Sequence, residues 1–301
     1  MDAPWGSADS DTLQSSYSNT DVAEPIDSRW SRSFNSGELN KPLAVNDSTL
    51  LLGATILEDG FNNPYLVTLD AYSGDINSRI SLSRNLETNP LLAKGDTAIA
   101  VMEQNNISAF ALSSNEQIWE EEHDLNINSE LQSSGDKFFY SAYDFTHSED
   151  DKEYMQVVAR SIQNGRLEWI NNDIASSARA LIHSDNKLIT VNNDSVLAIN
   201  SDNGQLVWSH NLEGTYRDAI GTPEGTLVIA GSTSLTALNT DTGEQLWRDE
   251  EVTFGESIAY SGNGTFIMHY DLNMSKHNLS DGSVIWDTEI NAGIEGEFAV
   301  D

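Results

Sequence analysis

The residues best able to do chemistry in this chain are its acids and its histidines, and their spacing decides little in favour of catalysis. His123, His147, His183, His210, His269 and His277 are scattered. No two have the His-Glu-x-x-His spacing that puts a pair of imidazoles on one helix face to hold zinc. Cysteine is absent, which removes disulfides, thiolate metal sites, Fe–S clusters and thiol nucleophiles. Neither a Gly-x-Ser-x-Gly elbow nor a glycine-rich phosphate loop is present. Asp202, Asn203 and Gly204, like Asp241, Thr242 and Gly243, invite a calcium reading. They lack the alternating carboxylates and distal glutamate of a calcium loop, and an Asx-Gly turn accounts for them. Glu120, Glu121 and Glu122, and Asp249, Glu250 and Glu251, read as solvated faces. A carboxylate pair of glycosidase type would need the fold to bring two of them together. No catalytic, cofactor-binding or metal-ligating residue is assigned, and no cofactor is expected.

The strongest pattern is structural. Trp169, Trp208, Trp247 and Trp286 are spaced 39 residues apart, each four residues after Gly165, Gly204, Gly243 or Gly282. This is an internal repeat. Residues 235–247 carry its clearest copy, with two apolar runs around an Asp-Thr-Gly turn and a closing tryptophan. The same frame places further anchors at Trp30, at Ser78 after Gly74, and at Trp119 after Asn115.

Each unit contains four short runs with period-2 or β-branched character between turn signals, and no sustained 3.6-residue period. In the unit ending at Trp247 the strands are expected at 216–222, 226–231, 234–239 and 245–247. Two turn classes are expected before the last strand. Leu69, Ile199 and Leu238 lie five residues before their glycine, whereas Ile162 and Leu279 lie three before. In the short class, Asn164 and Gly165 suit a type I′ hairpin. Two units are longer, with extra polar residues at 58–64 and 146–153, both between second and third strands. Insertions at equivalent places fall on one face of an array, where specificity is expected.

Four antiparallel strands in about 40 residues is the arithmetic of a β-propeller blade. The expected fold is all-β: about seven four-stranded blades over residues 26–301, preceded by a polar lead-in, residues 1–25. After Trp286 one strand of a seventh blade remains, so that blade is incomplete, or closed by the N-terminal strand at Trp30. The tryptophans are expected to pack between blades, an area of about 150–250 Å² each.

Composition bounds the partners. With 15 Lys and Arg against 48 Asp and Glu, the net charge is −33. Such a surface repels phosphate backbones and anionic headgroups, so nucleic acid is excluded as a partner. No apolar run is long enough to span a membrane. The acids are spread along the whole chain, which favours adaptation to high salt over a local acidic binding face.

The unit aliphatic-x-Ala-Leu-Asn-x-x-x-Gly-x-x-x-Trp, clearest at 200–208 and 239–247, resembles the repeat of the PQQ-like β-propeller family. That family includes quinoprotein dehydrogenases and the non-enzymatic outer-membrane assembly lipoprotein BamB. The quinoprotein branch implies a longer chain, a Glu/Asn/Asp calcium set, a catalytic Asp and adjacent cysteines, and no positions here match that set. Acidic members with a tryptophan-containing lead-in after a lipid-modified cysteine are typical of haloarchaeal envelope proteins. Asp2, Ala3, Pro4 and Trp5 resemble such a mature N-terminus. The resemblance implies an extracytoplasmic, cell-surface, monomeric scaffold that binds protein partners through a propeller loop face, with a lipid anchor in the precursor. The alternatives are a PQQ-dependent dehydrogenase-like enzyme and a glycan- or small-ligand-binding sensor.

Overall fold

The computed structural model describes residues 30–34, 36–40, 42–103, 106–123, 126–127, 129, 131–144, 154–174, 180–192, 194–250, 257–270 and 272–289. All regular structure in them is β, in six antiparallel sheets. None of their segments is a helix long and apolar enough to cross a membrane. The chain divides into two compact units, one holding residues 21–175 and the other residues 176–301.

In the first unit, the first sheet comprises β1 (Ser36–Leu39), β2 (Leu43–Asn46), β3 (Thr49–Glu58), β4 (Phe61–Asp70) and β5 (Ile76–Ser81). The second comprises β6 (Leu86–Lys94), β7 (Thr97–Met102), β8 (Asn106–Ala111) and β9 (Glu116–Glu122). The third comprises β10 (Asn126–Ile127), β11 (Gln132–Ser134), β12 (Lys137–Asp144), β13 (Tyr154–Ser161) and β14 (Leu167–Ile174). In the second unit, β15 (Ala180–Ser184), β16 (Lys187–Val191), β17 (Ser195–Asn200) and β18 (Leu206–Asn211) form the fourth sheet. The fifth contains β19 (Tyr216–Gly221), β20 (Thr226–Gly231), β21 (Leu235–Asn239) and β22 (Gln245–Asp249). The sixth contains β23 (Ser257–Tyr260), β24 (Thr265–Tyr270), β25 (Asn273–Asn278) and β26 (Val284–Glu289).

In every sheet the last three strands form a meander that pairs in chain order. Neighbouring sheets meet at their first strands: β15 lies against β19 and β19 against β23, while β2 and β11 both lie against β6. These are blades of a β-propeller, and the strand positions in the fifth sheet match those read from the sequence. The first and third sheets have four strands plus a split: β1 and β2 both pair with β3, and β10 and β11 both pair with β12. These sheets carry the longer units, whose second and third strands outrun an ordinary first strand. The chain answers with a first strand in two pieces.

Burial follows the period-2 pattern. Along β3, Leu50, Leu52, Ala54 and Ile56 pack with Trp30, Phe34 and Val67. Leu51 packs on the opposite side with Leu66, Ile80, Leu91 and Phe110. Similar cores join the second and third sheets through Ile99, Ile107, Phe138 and Tyr140, and the fourth and fifth through Ile189, Val196, Ala219 and Leu227. A four-stranded sheet with two apolar faces cannot stand alone in water, so each must be covered by a neighbour.

One expectation fails. There are not two turn classes but one. In all six sheets the residue four before the αL position accepts that position's backbone N–H, as in Gly74 to Asp70, Asn115 to Ala111, Gly165 to Ser161, Gly204 to Asn200, Gly243 to Asn239 and Gly282 to Asn278, all at 2.8–2.9 Å. Gly165 has φ +70°, while Asn164 is not in the left-handed region, so the pair is not a type I′ turn. Ile162 and Leu279 lie inside the turn. The place of Leu69, Ile199 and Leu238 is taken by Arg160 and His277, whose polarity hid the register.

Candidate functional surface

The tryptophan at the end of one sheet closes over the turn of the next. In the first unit, the Trp119 indole N–H donates to the Ile162 carbonyl at 2.8 Å. In the second, Trp208 donates to Thr240 at 3.0 Å and Trp247 to Leu279 at 2.7 Å. Trp30 does the same to Ala71 at 3.0 Å, so the segment before β1 stands on the first sheet as a fourth strand would. Under each ring lies the turn glycine. A Cβ there would come within 2.4 Å of Trp30 at Gly74, 2.7 Å of Trp119 at Gly165, 2.5 Å of Trp208 at Gly243 and 2.9 Å of Trp247 at Gly282. Glycine is needed at these turns twice over: for a positive φ and for the approach of an aromatic face.

Two further features of the repeat position the ring. Ala109, Ala159, Ala198 and Ala237 lie directly across from Trp119, Trp169, Trp208 and Trp247. A bulge then sets one extra residue before each anchor, which aims the ring at the neighbouring sheet. Trp169 packs on Phe139, with ring centroids 5.9 Å apart. Trp286 sits opposite Lys276 rather than alanine and is 38% exposed.

The first and second sheets meet without this wedge. The anchor is Ser78, Thr68 lies across from it, and their hydroxyls bond at 2.7 Å. The facing turn uses Asn115 at φ +60°. Asparagine tolerates αL, and no tryptophan is present to meet its Cβ. Two irregularities that look unrelated along the chain are thus one replacement at one interface.

The turns are closed by side chains. Asn239 Oδ1 accepts the backbone N–H of Asp241 at 2.8 Å and of Thr242 at 3.0 Å, and Asn200 accepts from Asp202 and Asn203. Asp70 does the same for Tyr72 and Ser73, and those two N–H groups hold its carboxyl below the usual range. Asp241 also receives Lys187 Nζ at 2.6 Å. Among the described residues, no three His, Asp or Glu side chains gather to hold a metal ion.

Among the polar side chains buried in the core are Arg160 and His277. Arg160 donates from Nε to Tyr140 Oη and from Nη1 to the Gly165 carbonyl, both at 2.9 Å, with Glu121 at 3.9 Å. Burial pushes the Tyr140 phenol up to about 12, so it stays neutral and serves as a hydrogen-bond partner. His277 bonds through Nδ1 to the Gly282 carbonyl at 2.9 Å and through Nε2 to Ser275 Oγ at 2.7 Å, stacking on Phe266. Both residues hold the turn glycine's carbonyl from the slot filled by Leu69, Ile199 and Leu238 in other sheets. Arg160 Nε and Nη1 and both ring nitrogens of His277 are thus engaged within the fold.

The insertion at 58–64 lengthens a hairpin. Residues Thr49–Glu58 and Phe61–Asp70 pair through ten consecutive positions, turning at Asp59 (φ +54°) and Gly60 (φ +84°). This is the pair with the two positive φ values of a type I′ turn. The hairpin carries exposed Leu57 and Phe61 at its end, the latter 72% exposed. Beside them, Glu58 accepts from Tyr65 Oη at 2.8 Å and from Arg79 Nη1 at 2.9 Å, and the Glu58 carboxylate raises the Tyr65 phenol. The second insertion, 146–153, lies outside the described residues, as do the lead-in, 1–25, and everything after Glu289.

No curated protein matches the chain in sequence. Among solved structures, BamB from Moraxella catarrhalis aligns over 80% of this chain and 73% of its own, with a TM-score of 0.57 and 14% identity. A europium-containing methanol dehydrogenase aligns over 98% of this chain and 80% of its own, with a TM-score of 0.71 and 11% identity. A quinohemoprotein alcohol dehydrogenase from Comamonas testosteroni aligns over 68% and 43%, at 0.53 and 11%. At such identities the likeness is one of fold. The family model described as outer membrane protein assembly factor BamB matches residues 21–179 and again 171–300, and with both matches the chain belongs to that PQQ-like propeller family.

Proposed function

We propose that this chain is a non-enzymatic β-propeller scaffold of the cell envelope, working outside the cytoplasm in high salt and binding protein partners through loops and hairpins of its blades. The observation that carries the reading is the long β3–β4 hairpin. It lifts Leu57 and Phe61 into solvent on a rigid two-stranded stem, beside the Glu58–Arg79 ion pair. Exposed apolar side chains rimmed by polar ones suit a protein contact. Membership of the BamB family supports the scaffold role, and the spread of carboxylates supports the salt adaptation. A lipid anchor on the precursor and a monomeric state complete the proposal.

The test is site-specific photo-crosslinking in the native host. A photoreactive residue in place of Phe61 should give one discrete adduct with another protein, and Leu57→Ser should weaken it. Equal, diffuse labelling from position 61 and from exposed Asp47 would contradict the assignment of the hairpin.

A further inference from the structure

The last strand of each sheet is an edge, and edges of β-sheets invite pairing with other chains unless something blocks them. All six carry the bulge before the anchor position, and five also carry charge. β5 has Arg79, β9 has four glutamates, β14 has Glu168 and Asp173, β22 has Arg248 and Asp249, and β26 has Asp287 and Glu289. The exception is β18. From Gln205 to Leu212 there is no formal charge, in a chain whose net charge is −33.

β18 is also open. Among the described residues it pairs only with β17. Leu206 is 57% exposed and Val207 47%, and Ser209 and Asn211 are exposed as well. The bulge falls between Leu206 and Trp208, so Trp208–Asn211 beyond it is a regular edge. Trp208 itself is fixed underneath by its bond to Thr240, which gives the edge a rigid backing. At either end stand acids: Asp202 in the preceding turn, and Glu213, whose side chain is 79% exposed and accepts from Arg248 Nη1 at 2.9 Å.

Resting on the scaffold reading above, we propose that β18 is a β-augmentation site for an extended segment of a partner protein, apolar and β-branched in its centre and basic at both ends. Strand addition supplies main-chain hydrogen bonds along the neutral stretch, and alternate side chains cover Leu206 and Val207. Asp202 and the overall charge select basic ends. The same charge disfavours a second copy of this chain, which would bring −33 against −33.

The test uses the whole chain and a synthetic nine-residue probe, Lys-Lys-Val-Thr-Val-Thr-Val-Lys-Lys. Amide hydrogen exchange, resolved by residue, should show outward amides of β18 slowed about tenfold or more on addition of the peptide. The version with glutamates at its ends should bind more weakly in dilute buffer, with the difference shrinking in molar salt. Leu206→Lys with Val207→Lys should abolish the protection at an unchanged melting temperature, while Leu246→Lys on β22 should leave it intact. Protection at another edge, or none anywhere, overturns the site while leaving the crosslink from position 61 as a separate test of the scaffold. A dimer with β18 protected before any peptide is added overturns the partner assignment in favour of a second copy.

Discussion

At the scale of the residue, the chain depends on glycines that lie under tryptophans. Gly243→Ala meets two penalties: a side chain at φ +71°, costing about 1–2 kcal/mol, and a Cβ 2.5 Å from Trp208, adding about 1–3 kcal/mol of overpacking. Gly95 has φ +59° and nothing within 4 Å of an added Cβ. Gly95→Ala therefore meets only the first, and chemical denaturation of the two variants separates conformational strain from contact. Trp208→Ala, at a site 9% exposed, should cost about 3–5 kcal/mol. Combined with Gly243→Ala the two should be less than additive, because the ring that the new methyl would strike is gone. Asp70 gives a pH signature. Its folded carboxyl lies below the usual value, so its contribution is present above the unfolded carboxylate range and is lost as pH falls through the lowered folded value. Asp70→Asn, which installs the residue found at 200 and 239, should keep the turn and flatten that part of the acid limb of a stability–pH curve.

At the scale of the element, the repeat was legible in the sequence and its logic was not. The glycine-to-tryptophan spacing marks two residues of one blade, yet the contact joins the tryptophan of one blade to the glycine of the next. Only co-occurrence across neighbouring units could have revealed this, and the paired loss of tryptophan at 78 and glycine at 115 was that signal. The register of the turns was obscured because Arg160 and His277 solve with hydrogen bonds what leucine elsewhere solves by burial. The polar insertion at 58–64 gave no sign of its strand pairing, because Asn62, Asn63 and Pro64 mask a register that only the partner strand settles. If the wedge is a portable unit, the interface between the first two sheets should accept it. Ser78→Trp alone should destabilise, with its ring against the Asn115 Cβ. The triple variant Thr68→Ala, Ser78→Trp, Asn115→Gly should raise the melting temperature above that of either partial variant. A triple variant no better than Ser78→Trp would show that the sheets there are set at another spacing.

At the scale of the whole molecule, charge is the main unexplained quantity that the fold does not require. Arg32, Arg79, Arg84, Arg160, Lys187 and Arg248 each stand beside a carboxylate. With 48 acids and 15 lysines and arginines, one-to-one pairing still leaves 33 acids over. Their mutual repulsion opposes the compact state and is screened as the Debye length shrinks from about 30 Å at 0.01 M to about 3 Å at 1 M salt. The melting temperature should therefore climb steadily with potassium chloride, and a flat curve would remove salt adaptation from the account. The blades show how such a chain folds at all: apolar faces are hidden between sheets, and acids such as Asp202, Asp241, Glu120 and Asp287 lie in turns and last strands. The wedge, the closed turns and the occupied polar atoms of Arg160, Tyr140 and His277 are explained by holding blades together. The proposal of a scaffold rather than a catalyst is tested by adding PQQ and calcium to the purified chain. A scaffold should give no bound-quinone absorbance and no alcohol- or sugar-dependent dye reduction, whereas a stoichiometric quinone spectrum with substrate-dependent turnover would contradict that role.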